Sequence, residues 1–561
     1  MYTQVLEHFN SIGLTALTAA LPLLVLFLLL GVLRMTAWQA SLIALVVAIG
    51  VAVTVYQMPI NQALLAASLG AVFGFFPILW IVINAIWVYN MTVETGHFGV
   101  LQRSFAKVST DQRIQAVIIA FCFGALLEAL AGFGTPVAIT SVMLLALGFT
   151  PMKSAVVALV ANTAPVAFGA LAAPIVALST TSGISQATLG AMTGRQTPVL
   201  AVFVPLVLVF LVDGKRGVRE TLPATLTCGL TFAVAQFVAS NYLSVPLTDI
   251  VAALAAAGSV VLVLRVWTPV NPYTLEHARA AAAKEEGPVG GGGTTMTKTA
   301  PVATTSSPAL PDTRANVLRA YAPYLVIIVV FSLAQLPVLK TALNAVTVKF
   351  GWPGLDVRNP AGKALALSTF TFNWLSAAGT LLLIAGLITI PLLGISPARA
   401  AARYVGTYVQ LKFAIITVMA VLAVAYVMNA SGQTGSLGLF LAGAGGLFAL
   451  ISPILGWLGV AVTGSDTSSN TLFGALQVSA ANQVGLNPNL VAAANGSGGV
   501  LGKMISPQNL AIAAGAVGLA GREGDIFRRV VGWSLLFLAF MCVLVFLQST
   551  AVLSWMVVTG K

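Results

Sequence analysis

Apolar runs at residues 14–33, 42–55, 114–127, 199–212, 247–264, 324–336, 411–428 and 531–553 approach or exceed the ~20 residues that cross ~30 Å of hydrocarbon. They leave few folds open. Inside a bilayer every backbone amide and carbonyl must be satisfied within the protein, so only helices or closed barrels span it. A barrel needs alternating strands of ~10 residues, and these runs are continuous. Composition agrees, since 58% of the 561 residues are hydrophobic and 7% are charged, against about 25% charged in a soluble domain. The expected fold is an all-α polytopic membrane protein, with about 12–14 transmembrane helices fitting the length.

Two distant stretches share one pattern of interruptions. Gly132-Phe-Gly-Thr135, Gly148-x-x-Pro151, Ala161-Asn162 and Pro174 are matched by Gly464-Ser-Asp-Thr467, Gly485-x-x-Pro488, Ala494-Asn495 and Pro507. Threonine to asparagine is 27 residues in the first block and 28 in the second, and asparagine to proline is 12 in both. Matched, broken hydrophobic segments are the mark of a secondary transporter whose site lies between two repeats.

The net charge of +12 is gathered into short stretches: Arg34; Arg103, Lys107 and Arg113; Lys215, Arg216 and Arg219; residues 265–319; Arg399 and Arg403; Arg522, Arg528 and Arg529. This is the positive-inside bias, so these stretches are read as cytoplasmic loops. No basic groove with stacking aromatics accompanies them, and nucleic acid is not an expected partner. Counted from these loops, the first break is approached from the inside and the second from the opposite direction. Two inverted repeats with broken or re-entrant helices are therefore expected. Glu94, His97 and Arg103 are expected at a helix end, facing water.

Residues 271–315 are rich in Gly, Pro, Ser and Thr and read as a disordered cytoplasmic linker. It separates an N-terminal membrane half, 1–270, from a C-terminal half, 316–561, each with one broken block. The start of the chain has no basic n-region or cleavage signal, so no signal peptide is expected. Cys122, Cys228 and Cys542 lie singly in apolar runs, and His8, His97 and His277 are scattered. Neither set has the spacing of a metal or cofactor site, and none is expected.

Broken membrane helices free backbone groups that must be met inside the protein, and helix N-terminal amides suit a carboxylate. The candidate substrate-binding residues are Gly132, Gly134, Thr135, Asn162 and Thr163 in the first block. In the second they are Ser465, Thr467, Asn495, Ser497, Lys503 and Gln508. Packing is the competing role for each Ser, Thr and Gly. Glu128, one turn before Gly132, and Asp466, among hydroxyl side chains, are candidate proton-coupling groups because intramembrane carboxyls are costly unless used. For Glu128 the competing role is a structural pair with Lys153 or Arg195; for Lys503 it is snorkelling to the interface. Gly498-Gly-Val-Leu-Gly-Lys503 lacks the spacing of a phosphate-binding loop, and no hydrolase elbow is present. An enzyme is not expected. A channel, which also uses broken helices, is a further alternative.

Four strings carry a resemblance: Glu128-Ala-Leu-Ala-Gly-Phe-Gly-Thr-Pro136, Ala161-Asn-Thr-Ala-Pro-Val-Ala-Phe-Gly169, Val462-Thr-Gly-Ser-Asp-Thr-Ser-Ser-Asn-Thr-Leu-Phe-Gly474 and Asn495-Gly-Ser-Gly-Gly-Val-Leu-Gly-Lys-Met-Ile-Ser-Pro-Gln-Asn509. They resemble the signature segments of the bacterial L-lactate permease family, over nearly the whole chain. The resemblance implies proton-coupled uptake of L-lactate, with D-lactate and glycolate as related substrates, across the bacterial inner membrane. It assigns no chemistry to Glu128, Asp466 or Lys503, whose roles follow from residue type and place. A small hydroxy-monocarboxylate needs a positive end, one or two groups for its hydroxyl, and little further room. The alternative is a sodium-coupled or exchange transporter of another small organic anion, with Asp466 and helix-end carbonyls on the cation.

Overall fold

The computed structural model describes residues 1–33, 35–132, 134–273, 310–334, 336–360, 362–365, 368–519 and 522–559. Of the expected linker, residues 274–309 lie outside the described residues, as does Arg34. Helices dominate. Among the described residues, strand pairing is limited to Val348–Gly351 against Thr369–Phe372, antiparallel, Tyr2–Thr3 against Val357–Arg358, parallel, and an isolated antiparallel bridge between Arg358 and Ala364.

Ten described stretches are long and apolar enough to cross a membrane, or eleven if the bent pair Pro151–Ala161 and Val166–Ser182 is one span. One of the ten, Gln186–Leu243, is 58 residues long, about 87 Å as a helix and so more than one crossing. It kinks at Asp213–Gly214, where Gly214 adopts φ 65°. The expected 12–14 exceeds the described count partly because helices such as Thr135–Ala146 fall short of a full span. Arg399 and Arg403 lie in the first turns of the 35-residue helix Pro397–Ser431 rather than in a loop.

The halves share their cores. One hydrophobic cluster joins Ile78, Phe121 and Phe232 to Leu382, Leu501 and Val545; a second joins Leu23, Ala44 and Leu69 to Val424, Tyr426 and Phe473. Within hydrocarbon, where lipid tails are as apolar as these side chains, close van der Waals packing and hydrogen bonds between helices hold such a mixed core together.

The basic stretch at 103–113 holds Asn271 on one side and Leu310 and Asp312 on the other. Arg113, fully buried, donates to Asp111, Asp213 and Glu220 at 2.8, 2.9 and 2.7 Å, and to the carbonyl of Asn271 at 2.8 Å. Arg103 meets Asp312 at 2.8 Å and the Leu310 carbonyl at 2.7 Å, and Lys107 also binds Asp312. Hydrogen bonds from Arg103 and then Lys107 hold the Asp312 carboxyl down to about 2. His97 does not face water. It is 4% exposed, its Nδ1 lies 2.9 Å from Thr95 Oγ1, and burial followed by the charge of Arg319 lowers its pKa.

Candidate functional site

Each break is made by local chemistry that its sequence dictates. In the first block Gly134 is left-handed at φ 83° and precedes Thr135–Ala146, whose Pro136 needs no amide partner in the first turn. In the second, Gly464 ends Phe448–Thr463 at φ 74°, and the Ser465 hydroxyl accepts from the Ser468 amide to start Asp466–Val484. The Gly-x-x-Pro motifs also match in structure. Gly148 at φ 89° leads to a Thr150 cap and Pro151, and Gly485 at φ 70° leads to an Asn487 cap and Pro488.

The next arms differ. Pro151–Ala161 stops at Asn162, and Ala170, Leu171 and Ala172 follow in left-handed backbone at φ 44°, 49° and 63°, a conformation costing roughly 1–2 kcal/mol per residue. Pro488–Gly502 instead runs unbroken past Asn495 and stops at Lys503, after which Ser506 caps Pro507–Ala516. Asn495 and Ser497 are therefore mid-helix, and the Ser497 amide is not a free anion donor. Nor do the two aligned asparagines meet freed backbone, as matched breaks would suggest; both bind side chains.

Two buried polar clusters result. In the first, Lys503 Nζ donates to Glu128 Oε1 at 2.6 Å, and Asn162 Nδ2 donates to Glu128 Oε2 at 2.9 Å. The lysine is 6% exposed and the glutamate 3%, which excludes snorkelling. Lys503 sits at a helix C-terminus, where the backbone dipole favours a cation. Gly132 and Gly169 leave room for the carboxylate; a Cβ on Gly169 would lie 2.8 Å from Glu128 Oε1. Neither Lys153 nor Arg195 is the partner. Lys153 reaches the Val212 carbonyl, and Arg195 reaches Asn241 and the Met556 carbonyl.

In the second cluster Asn470 Nδ2 donates to Asp466 Oδ2 at 3.3 Å and to the Pro174 carbonyl of the first block at 3.1 Å. Asn495 Nδ2 donates to Asn470 Oδ1 at 2.9 Å, and Gln477 donates to Asn495 Oδ1 at 3.1 Å. Asp466 is 3% exposed, and its Oδ1 has no hydrogen-bond partner among the described residues. A Cβ on Gly499 would sit 2.3 Å from that oxygen, so only glycine leaves the carboxyl its seat. Asp466 lies within electrostatic reach of both Lys503 and Glu128. No group of three His, Cys, Asp or Glu suited to a metal occurs among the described residues.

The remaining candidates are spread around these clusters. Gly134 packs against Asn509 and Ile512, and the Thr135 amide bonds the Gly132 carbonyl. The Thr163 hydroxyl turns back to the Val160 carbonyl, and Thr467 is buried with its carbonyl bonded by Thr471. Ser497 donates to Gln196 Oε1 at 2.7 Å, and Gln196 to Gln548 at 3.1 Å. Gln508 is exposed and covers Gly464. Sequence reasoning missed Gln196, Gln236, Gln477 and Asp249. For Gln236 and Asp249 the signal was a polar side chain inside an apolar stretch, most plainly Asp249 in the run 247–264, whereas the mixed sequence around Gln196 and Gln477 gave none.

Residues 15–552 match the sequence profile of the family described as L-lactate permease. The chain is 41% identical to the glycolate permease GlcA of Escherichia coli (strain K12), covering 98% of each chain. It is 40% identical to the L-lactate permease of Bacillus subtilis (strain 168), covering 97% of each. Among solved structures, the YdaH transporter of Alcanivorax borkumensis is 14% identical with a TM-score of 0.43, over 85% of this chain and 86% of that one. That likeness is too distant to place a residue. On the profile match and the full-length relatives, this many-helix membrane chain belongs to the L-lactate permease family.

Proposed function

We propose that this protein is a secondary transporter that takes up L-lactate, and with it D-lactate and glycolate, together with protons across the bacterial inner membrane, and that it catalyses no reaction. The names of its full-length relatives support the substrate class. The observation that carries the mechanism is the buried Glu128–Lys503 pair, which joins the first block to the second. Lys503 is the cation of the paired cluster, so the substrate carboxylate and Glu128 compete for one ammonium. Ionised Glu128 cannot be left alone in a dry site, where an unpaired charge costs ~3–5 kcal/mol. Protonation of Glu128 releases Lys503 to the substrate, and the two charges then move as a neutral set. Asn162 Oδ1, buried without a partner among the described residues, is an acceptor beside that cluster for the 2-hydroxyl.

Residues 1–270 and 316–561 are proposed to form two membrane halves with inverted broken blocks around this site. A sodium-coupled reading has one observation in its favour, the unpartnered Asp466 Oδ1 among hydroxyls. Purified protein in liposomes separates the two. Lactate accumulation driven by an imposed pH gradient without sodium is expected, and accumulation that follows a sodium gradient alone would overturn proton symport.

A further inference from the structure

Among the described residues, Asp249 is a buried carboxyl that neither cluster nor the Arg113 network uses. Asp249 opens the helix Thr248–Val266 and is 0% exposed. Its Oδ1 accepts from Gln236 Nε2 at 3.1 Å, and its Oδ2 has no partner among the described residues. An ionised carboxylate has about four acceptor positions to fill. One neutral amide in a dry setting does not suffice, whereas the protonated acid needs little more. Among the described residues no cation pairs with it, and Lys503 is held by Glu128.

The place of Asp249 is as informative as its burial. Gln236 Nε2 also donates to the Ala164 carbonyl at 3.3 Å, and Gln236 Oε1 accepts from Thr197 at 3.3 Å. Ala164 lies in the first-block break, two residues from the Asn162 that holds Glu128. Around Asp249, Val204–Val238 presents the Gln236 amide, the 162–168 break a carbonyl, and Gly124–Ala131 the charge of Glu128, within electrostatic reach. Two carboxyls thus share one dry region with one lysine.

We propose that Asp249 is a second proton-bearing carboxyl of the transport cycle, held by Gln236 against the first-block break so that Glu128 and Asp249 carry one negative charge between them. This rests on the proton-coupled reading above. In the state described, the charge is on Glu128 and the proton on Asp249. When Glu128 takes up a proton and the substrate anion takes Lys503, the charge beside Asp249 disappears, and its acid loses the repulsion that opposed ionisation. Its proton then passes to water on the side of release, and as the anion leaves Lys503, Glu128 gives up its own proton to Asp249 and pairs with the lysine again, so that one proton has crossed with each anion. No covalent bond other than O–H forms or breaks.

Asp249→Asn keeps the acceptor for Gln236 and the shape, and removes only the proton. In liposomes it should retain lactate counterflow and lose pH-driven accumulation at least tenfold, with lactate-dependent proton entry reduced in step. Wild-type proton entry and accumulation in the variant would overturn the inference, as would equal loss of counterflow and accumulation. If wild-type protein itself brings in no protons with lactate, the proton-coupled reading fails instead. Should the variant not fold, Gln236→Leu serves. By stripping the donor from Oδ1 it should alter the pH profile of accumulation, and an unchanged profile would make Asp249 a packing group.

Discussion

The two broken blocks are alike at their turns and unlike in their charges. Each has a left-handed glycine, a side-chain cap and a proline opening the next helix. Yet Glu128 has a lysine and an amide, whereas Asp466 has one amide and a bare oxygen. In a dry interior that difference decides what each carboxyl still needs, since Glu128 already has a counter-charge and Asp466 keeps an oxygen open to a partner. One fold element, used twice, therefore supplies two different instruments. In the proposed cycle the first block would bind charge and the second would store a proton or receive a cation.

Several substitutions would break or sharpen that contrast. The largest effect is expected for Lys503→Met, which strands Glu128 and removes the anion's partner. The apparent KM for lactate uptake should rise on the order of a hundredfold, with Lys503→Arg recovering little because its planar fork does not fit an ammonium seat. Glu128→Gln should come next, keeping lactate exchange across proteoliposomes while losing pH-driven accumulation. It leaves a buried lysine alone, so its thermal midpoint in detergent should fall by the equivalent of ~3–5 kcal/mol. Lactate should restore that stability more than it stabilises wild type, because the anion replaces the missing partner. Equal stabilisation of both proteins would show that lactate does not use Lys503.

Asp466→Asn breaks no ion pair. Its midpoint should therefore stay within about 1 kcal/mol of wild type, while gradient-driven uptake disappears; wild-type accumulation would discard the role. Gly499→Ala should destabilise by ~1–3 kcal/mol through overpacking on Asp466. The smallest effect belongs to Asp312. Its lowered folded-state pKa means that its pairing is complete above the unfolded value near 4 and is lost only as pH falls towards about 2. Asp312→Asn should leave uptake between pH 5 and 8 unchanged.

Much of this was legible in the chain. Glycine, cap residues and proline act locally, so the turns at 134, 148, 464 and 485 follow from composition at single positions. Glu128, Asp466 and Lys503 stood out because charge is rare in apolar runs. What could not be read was partnership. Lys503 and Glu128 lie 375 residues apart, and only the packing of one half on the other brings them together. The alignment of Asn162 with Asn495 also hid a difference, since the helix after Asn495 continues for seven residues to Gly502. Asp249 was missed because one carboxyl near the start of a run reads as a helix end in water.

The Arg113 and Asp312 contacts carry a consequence for how the polypeptide could be made. Asn271 is clasped by Arg113, and Asp312 by Arg103 and Lys107. Residues 271 and 312 are thus docked on one segment, 103–113, and both cores draw residues from before 273 and after 310. Contacts made by described residues on either side of 274–309 hold the two parts of the chain in register. Two separately translated pieces, ending and beginning inside that interval, should find each other in the bilayer and assemble as a working pair.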